Sequence, residues 1–133
     1  MSFDWNMYLK LAGQLADGSG ESGMQEAKLR AAISRAYYSA YHVARVFLQD
    51  VRHDRTHPDL GSAHAHVRTL FLDAGGDINR RIATYLSTLH ADRKHADYDD
   101  EFRGRIASKA SFCLENAKTI ISLVDELRES ESP

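Results

Sequence analysis

A chain of 133 residues has room for one domain and one core, predicted to span residues 1–133. It buries about 65% of its extended surface, so folding requires neither metal nor disulfide. With 43% apolar residues, 27% charged residues, 8 Gly and 2 Pro, the composition excludes wholesale disorder and argues against a turn-rich β-sandwich. The balance of 17 Lys plus Arg against 19 Asp plus Glu argues against broad nucleic-acid affinity. It leaves room for a local phosphate site, because 12 of the 17 basic residues are Arg, the side chain suited to bidentate phosphate contacts.

Apolar residues recur at helical spacing along the whole chain. The first predicted helix, Phe3 to Ala16, carries Trp5, Tyr8, Leu9, Ala12 and Leu15, with Ser2 as a cap, and ends in the Gly/Ser-rich run 17–23. A long helix from about Met24 to Arg52 follows. Its apolar stripe runs through Leu29, Ile33, Ala36, Tyr37, Ala40, Tyr41, Ala44, Phe47, Leu48 and Val51. After a polar turn with His57-Pro58-Asp59, Ser62 is placed to cap a short helix from Ala63 to Leu72. Gly75-Gly76 breaks that helix, and Asp77 is placed to cap the next, whose stripe is Ile78, Ile82, Tyr85, Leu86 and Leu89. The segment from Ala96 to Glu101 interrupts the pattern, and its acids suit the first turn of a final helix. That helix has the cleanest register, through Phe102, Ile106, Ala110, Cys113, Ala117, Ile120, Val124 and Leu127, before a tail at 129–133 expected to fray. The expected architecture is all-α, an antiparallel up-and-down bundle of four to five helices.

The lone cysteine, Cys113, sits in an apolar stripe and reads as a buried small hydrophobe. Seven histidines raise the question of a metal, but the local pairs His64/His66, His53/His57 and His90/His95 have poor chelating spacing, so no metal and no cofactor is expected. The N-terminal residues lack a signal peptide's order, and no apolar run reaches membrane-spanning length, so a cytoplasmic location without membrane contact is expected. Nucleotide loops and hydrolase elbows are missing too.

Two segments concentrate chemistry. In the second helix, Arg35, Tyr38 and His42 form a polar stripe of cation, phenol and imidazole beside the apolar one. At the end of the fourth, Arg93-Lys94-His95-Ala96-Asp97-Tyr98-Asp99 brings basic residues and an imidazole next to acids able to orient an Arg. Arg35, Tyr38, His42, Arg93, His95 and Tyr98 are therefore the candidate site residues, a set able to hold a phosphate.

Together, Ser34-Arg35-Ala36-Tyr37-Tyr38-Ser39-Ala40-Tyr41-His42 and Arg93-Lys94-His95-Ala96-Asp97-Tyr98-Asp99 resemble the HEPN family of small helical-bundle domains, over about Met24 to Leu127. The resemblance implies a homodimer, nucleotide or RNA binding, and partnership with a minimal nucleotidyltransferase in a toxin–antitoxin-like pair. Ribonuclease members carry an Arg followed by four to six residues and then a His. Arg93 matches the Arg, but Tyr98 stands where the His is expected. A phenol near pKa 10 is a poor base at neutral pH. A metal-independent endoribonuclease is thus the alternative, with Arg93 and His42 as its catalytic pair, and a structural or dimerisation module is the third reading. Tyr98 is also a candidate acceptor of a nucleotidyl group.

Overall fold

The periodicities become five helices in the computed structural model, which describes residues 2–17 and 19–131. They are α1 (Asn6–Leu15), α2 (Ser22–Asp50), α3 (Ala63–Ala74), α4 (Asp77–Tyr98) and α5 (Ile106–Glu131). Gly18 in the expected break, and Ser132 and Pro133 in the expected tail, lie outside the described residues. All regular structure among the described residues is helical, and the helices form an all-α bundle.

α2 is the central element and packs against the other four helices. One apolar stripe covers only one side of a helix. α2 buries more than its stripe because Ala32, Ser34 and Ser39 also go inside. Ala32, Ala36, Ala40 and Ala44, spaced by four, have no exposed surface. Their methyl groups let a neighbouring helix come close and lose no rotamer entropy on burial. α5 buries the register read from its sequence, Ala110 through Leu127, together with Asn116 and Leu123. Cys113 is fully buried there, as expected. Burial beside the Asp92 carboxylate pushes its thiol up to about 12, so it is unreactive at neutral pH.

The contacts between helices fix their directions. Trp5 stacks on His42 while the Arg35 guanidinium lies over Tyr8, so α1 and α2 are antiparallel. Arg30 reaches Ala96 and Arg52 reaches Asn79, so α2 and α4 are antiparallel too. α2 and α3 run in the same direction, with Tyr37 beside His64 and Phe47 beside Phe71. The chain reverses at His53, which takes a left-handed φ of 59°, and Asp54 N–H then donates to Leu48 O at 2.9 Å. Residues 54–62 run back along the bundle before α3 begins. Directions therefore alternate along the chain except at this one return, and that return brings the start of α3 to the middle of α2.

Several helix ends differ from the sequence expectation. α4 continues past Ala96 to Tyr98 because Arg30 of α2 donates to the carbonyls of Ala96 at 2.9 Å and Asp99 at 2.6 Å. These bonds satisfy groups that a helix C-terminus otherwise leaves unpaired, and they set a cation at the negative end of the dipole. The acids Asp99–Glu101 consequently lie in the connection, and the first turn of α5 contains no acid. Gly76, at φ 88°, occupies the cap position of α4, and Asp77 is its first helical residue. Ser62 precedes α3 as expected, but its hydroxyl donates to Asp59 O at 3.2 Å and leaves the helix uncapped. Asp4, not Ser2, serves α1, accepting Asn6 N–H at 3.0 Å. α5 runs on through Glu131, which Arg52 holds at 2.7 and 2.9 Å, so the segment 129–131 is ordered helix where fraying was expected.

Candidate nucleotide or RNA site

Arg93 is the anchor of the site. It projects from α4 into the bundle and is only 7% exposed, an unusual degree of burial for an arginine. Its guanidinium lies 5.7 Å from the ring centre of Tyr37, 5.4 Å from Tyr38 and 5.9 Å from Tyr98, so three aromatic faces stabilise the cation. Among the described residues, the one carboxylate paired with it is Asp97, one turn further along α4, at 3.6 Å. Its Nε is buried with no hydrogen-bond partner.

Asp97 links this cation to α2. Its Oδ2 accepts the Ser34 hydroxyl at 3.2 Å, and Ser34 Oγ in turn accepts from Arg35 Nη2 at 3.2 Å. Arg35 is held between two rings, 4.8 Å from the centre of Tyr8 and 5.1 Å from that of Tyr38. Tyr38 therefore stands between Arg35 and Arg93, and Tyr98, 73% exposed, lies at the rim. The helical step of three from Arg35 to Tyr38, with antiparallel packing of α2 on α4, produces this alternation of cation and aromatic ring.

His42 lies at the other end of the stripe, its ring 6.0 Å from that of Tyr38. It stacks on Trp5 at 3.8 Å, and its Nδ1 accepts from Arg45 Nε at 3.0 Å. Burial, with the positive charge of Arg45, lowers its pKa to about 4, so the ring is neutral at pH 7. With Nδ1 already accepting, the hydrogen of the neutral ring sits on Nε2. No acceptor nitrogen remains to take a proton. The second and fourth helices do pack face to face, and His42 sits there with Nδ1 engaged by Arg45.

His95 shares the exposed edge with Tyr98 and is otherwise bonded into the α4–α5 connection. Its Nδ1 bonds to the Asp99 carboxylate, its Nε2 accepts the Arg103 N–H at 3.0 Å, and its ring packs on Phe102 at 4.3 Å. It organises the α4–α5 connection. Of the six candidates, Arg35, Tyr38, His42, Arg93 and Tyr98 form one continuous surface, and His95 lies beside it.

Two histidines that local spacing set aside do join the site. His64 at the start of α3 and His90 on α4 stack with ring centres 5.0 Å apart, and the Tyr37 ring lies 5.5 Å from each. The Tyr37 hydroxyl bonds to His64 Nδ1. Burial pushes the phenol well above its ordinary range, so it keeps its proton and is the donor in this bond. Burial, then the charges of nearby arginines, lowers both imidazoles, His90 to about 4. Arg68, one turn after His64, adds a second cation whose Nη1 is buried without a partner. The one available sequence signal was that His90 and Arg93 share a face of α4; the approach of α3 was not readable locally. No group of three or more potential metal ligands occurs among the described residues. The cationic surroundings of this pair suit an anion.

The fold and this cleft define a helical-bundle domain with an arginine set among aromatic rings between its second and fourth helices. A family model described as HEPN domain matches residues 19–127, and the chain belongs to that family. Neither the curated proteins nor the solved structures gave a match. No helix among the described residues is long and apolar enough to cross a membrane.

Proposed function

We propose that this chain is a nucleotide- or RNA-binding HEPN protein that works as a homodimer with a minimal nucleotidyltransferase, in a toxin–antitoxin-like pair. The observation behind it is Arg93: a buried guanidinium with one carboxylate at 3.6 Å, an unpartnered Nε and an exposed tyrosine at its rim. Such a cation holds a phosphate, while Tyr98 and Tyr38 offer ring faces on which a base stacks. Binding is favoured over cleavage, because His42 lacks a free acceptor nitrogen and residue 98 is a tyrosine. Tyr98 also has the exposure that a nucleotidyl acceptor needs.

Calorimetric titration with adenine nucleotides and short oligoribonucleotides tests the binding reading. Wild type binds, and Arg93→Ala weakens binding by about tenfold or more, the loss of a charge-assisted contact. Wild type that binds neither ligand refutes it. RNA cleavage in EDTA, lost in Arg93→Ala and His42→Ala, restores the ribonuclease alternative. Adduct mass on Tyr98 after incubation with ATP and a nucleotidyltransferase encoded by a neighbouring gene tests the partnership.

A further inference from the structure

Beyond the Arg35–Tyr38–Arg93–Tyr98 surface, the bundle holds a second group of donors that the sequence reading left unused. His64 and Arg68 lie one helical turn apart on α3, and His90 and Arg93 lie one turn apart on α4. The stacking of His64 on His90 brings the four together. Two of their guanidinium nitrogens, Arg93 Nε and Arg68 Nη1, are buried and unpartnered. A buried donor without an acceptor is costly unless something else occupies it. Arg93, more than nine-tenths buried, is the floor of the group.

The protonation pattern makes every member a donor. Tyr37 fixes His64 by donating to Nδ1, so the ring hydrogen is on Nε2. The charges acting on the two imidazoles are all cationic: Arg68 from α3, and Arg93 and Lys94 from α4, with the α2 side contributing the Tyr37, Tyr38 and Tyr41 rings. Asp97 Oδ2 is shared: it pairs with Arg93 Nη1 at 3.6 Å and accepts the Ser34 hydroxyl at 3.2 Å. Arg68 also lines a groove of about 310 Å³ between α3 and α4, with Leu72, Ala83, Thr84, Ser87 and Thr88. It offers hydroxyls to whatever is attached to the anion.

We propose that His64, Arg68, His90 and Arg93 form a receptor for a phosphate monoester, the terminal phosphate of a nucleotide or oligonucleotide. A dianion matches this site better than an internal diester. Two guanidiniums meet its two charges, and imidazoles that are neutral when the site is empty take up a proton as the anion arrives. The receptor rests on the nucleotide- or RNA-binding reading for its source of ligand, and on its own residues for its preference.

The test uses the full chain and two measurements. In imidazole ¹H–¹⁵N spectra, titration with inorganic phosphate raises the pKa of His64 and His90 by about one unit or more. In calorimetry, an oligoribonucleotide with a 5′- or 3′-terminal phosphate binds about tenfold or more tightly than the same oligomer with hydroxyl ends. Arg68→Met removes that preference. Imidazoles that do not move at saturating phosphate, or equal affinity for all three oligomers, overturn the receptor, as does EDTA-resistant cleavage of the hydroxyl-ended oligomer that His90→Asn abolishes. If the hydroxyl-ended oligomer binds through Arg93 while phosphate leaves the imidazoles unmoved, the receptor fails and the binding reading stands. If phosphate moves them and no oligomer binds, the anion site stands and the RNA reading fails.

Discussion

Arg52 and Arg93 are arginines of similar setting with opposite consequences. Both lie against aromatic rings, Arg52 over Phe47 at 4.8 Å and Phe71 at 5.4 Å, Arg93 among three tyrosines. Both have one buried nitrogen without a partner. Arg52, however, is closed off. Glu131 grips it at 2.7 and 2.9 Å and Asn79 accepts a further bond at 2.9 Å, tying together the ends of α2, α4 and α5. The pairing lowers the Glu131 carboxyl below its ordinary value. Arg93 meets one carboxylate at 3.6 Å, and its neighbours are phenols and imidazoles in place of phenylalanines. A buried cation neutralised by a bidentate carboxylate is a clasp; one left mostly unneutralised among donors is a place for an anion.

Substitutions separate the two. Arg93→Ala is expected to have the largest effect, weakening nucleotide or RNA binding by about ten- to a hundredfold, roughly 1.4 to 2.8 kcal/mol, by calorimetry. Arg52→Ala leaves that binding unchanged but removes packing and a charge pair, lowering stability by about 2 kcal/mol in urea unfolding. Equal effects of the two on binding would erase the distinction between clasp and site.

Acidification acts mainly on the Arg93 side of the bundle. His42 and His90 have folded pKa values lowered to about 4, against about 6.5 unfolded. The unfolded chain therefore binds more protons between those values, and stability falls as pH drops from about 6.5 towards 4. Melting curves across that range check it, and His90→Asn should flatten the dependence. Phosphate should oppose the loss. The smallest effect is expected from Tyr98→Ala: its ring is 73% exposed, so the melting temperature stays put while RNA affinity falls by about 1 kcal/mol of stacking.

Much of this was legible one helix at a time. The stripes of α2 and α5, the glycine break before α4 and the burial of Cys113 follow from spacing and residue type alone. So does the polar row Arg35–Tyr38–His42, because residues three and four apart must share a face. Arg93 and Tyr98 were read beside it through the resemblance between the two motifs and those of a known family. The errors were also local. Ala96–Glu101 looked like a helix end because its acids and lost periodicity say so, and nothing nearby announced that Arg30, 66 residues earlier, would cap those carbonyls. His95, in the same segment, lines the exposed edge with Tyr98, while its ring also packs on Phe102 in the α4–α5 connection, a contact that local spacing does not show.

By itself, the sequence determined an all-α bundle, a near-neutral chain with an arginine excess, and two helix faces carrying cations and phenols. Periodicity fixes which residues lie on one face of one helix, and that is a property of the local chain. Only the tertiary structure decided which faces meet. The return after His53 sets α3 parallel to α2 and carries His64 to His90, 26 residues away along the chain. The same packing closes Arg52 with Glu131 and leaves Arg93 open. The near-neutral charge that argued against broad nucleic-acid affinity is a property of composition; the gathering of Arg68 and Arg93 beside two neutral imidazoles is a property of the packing.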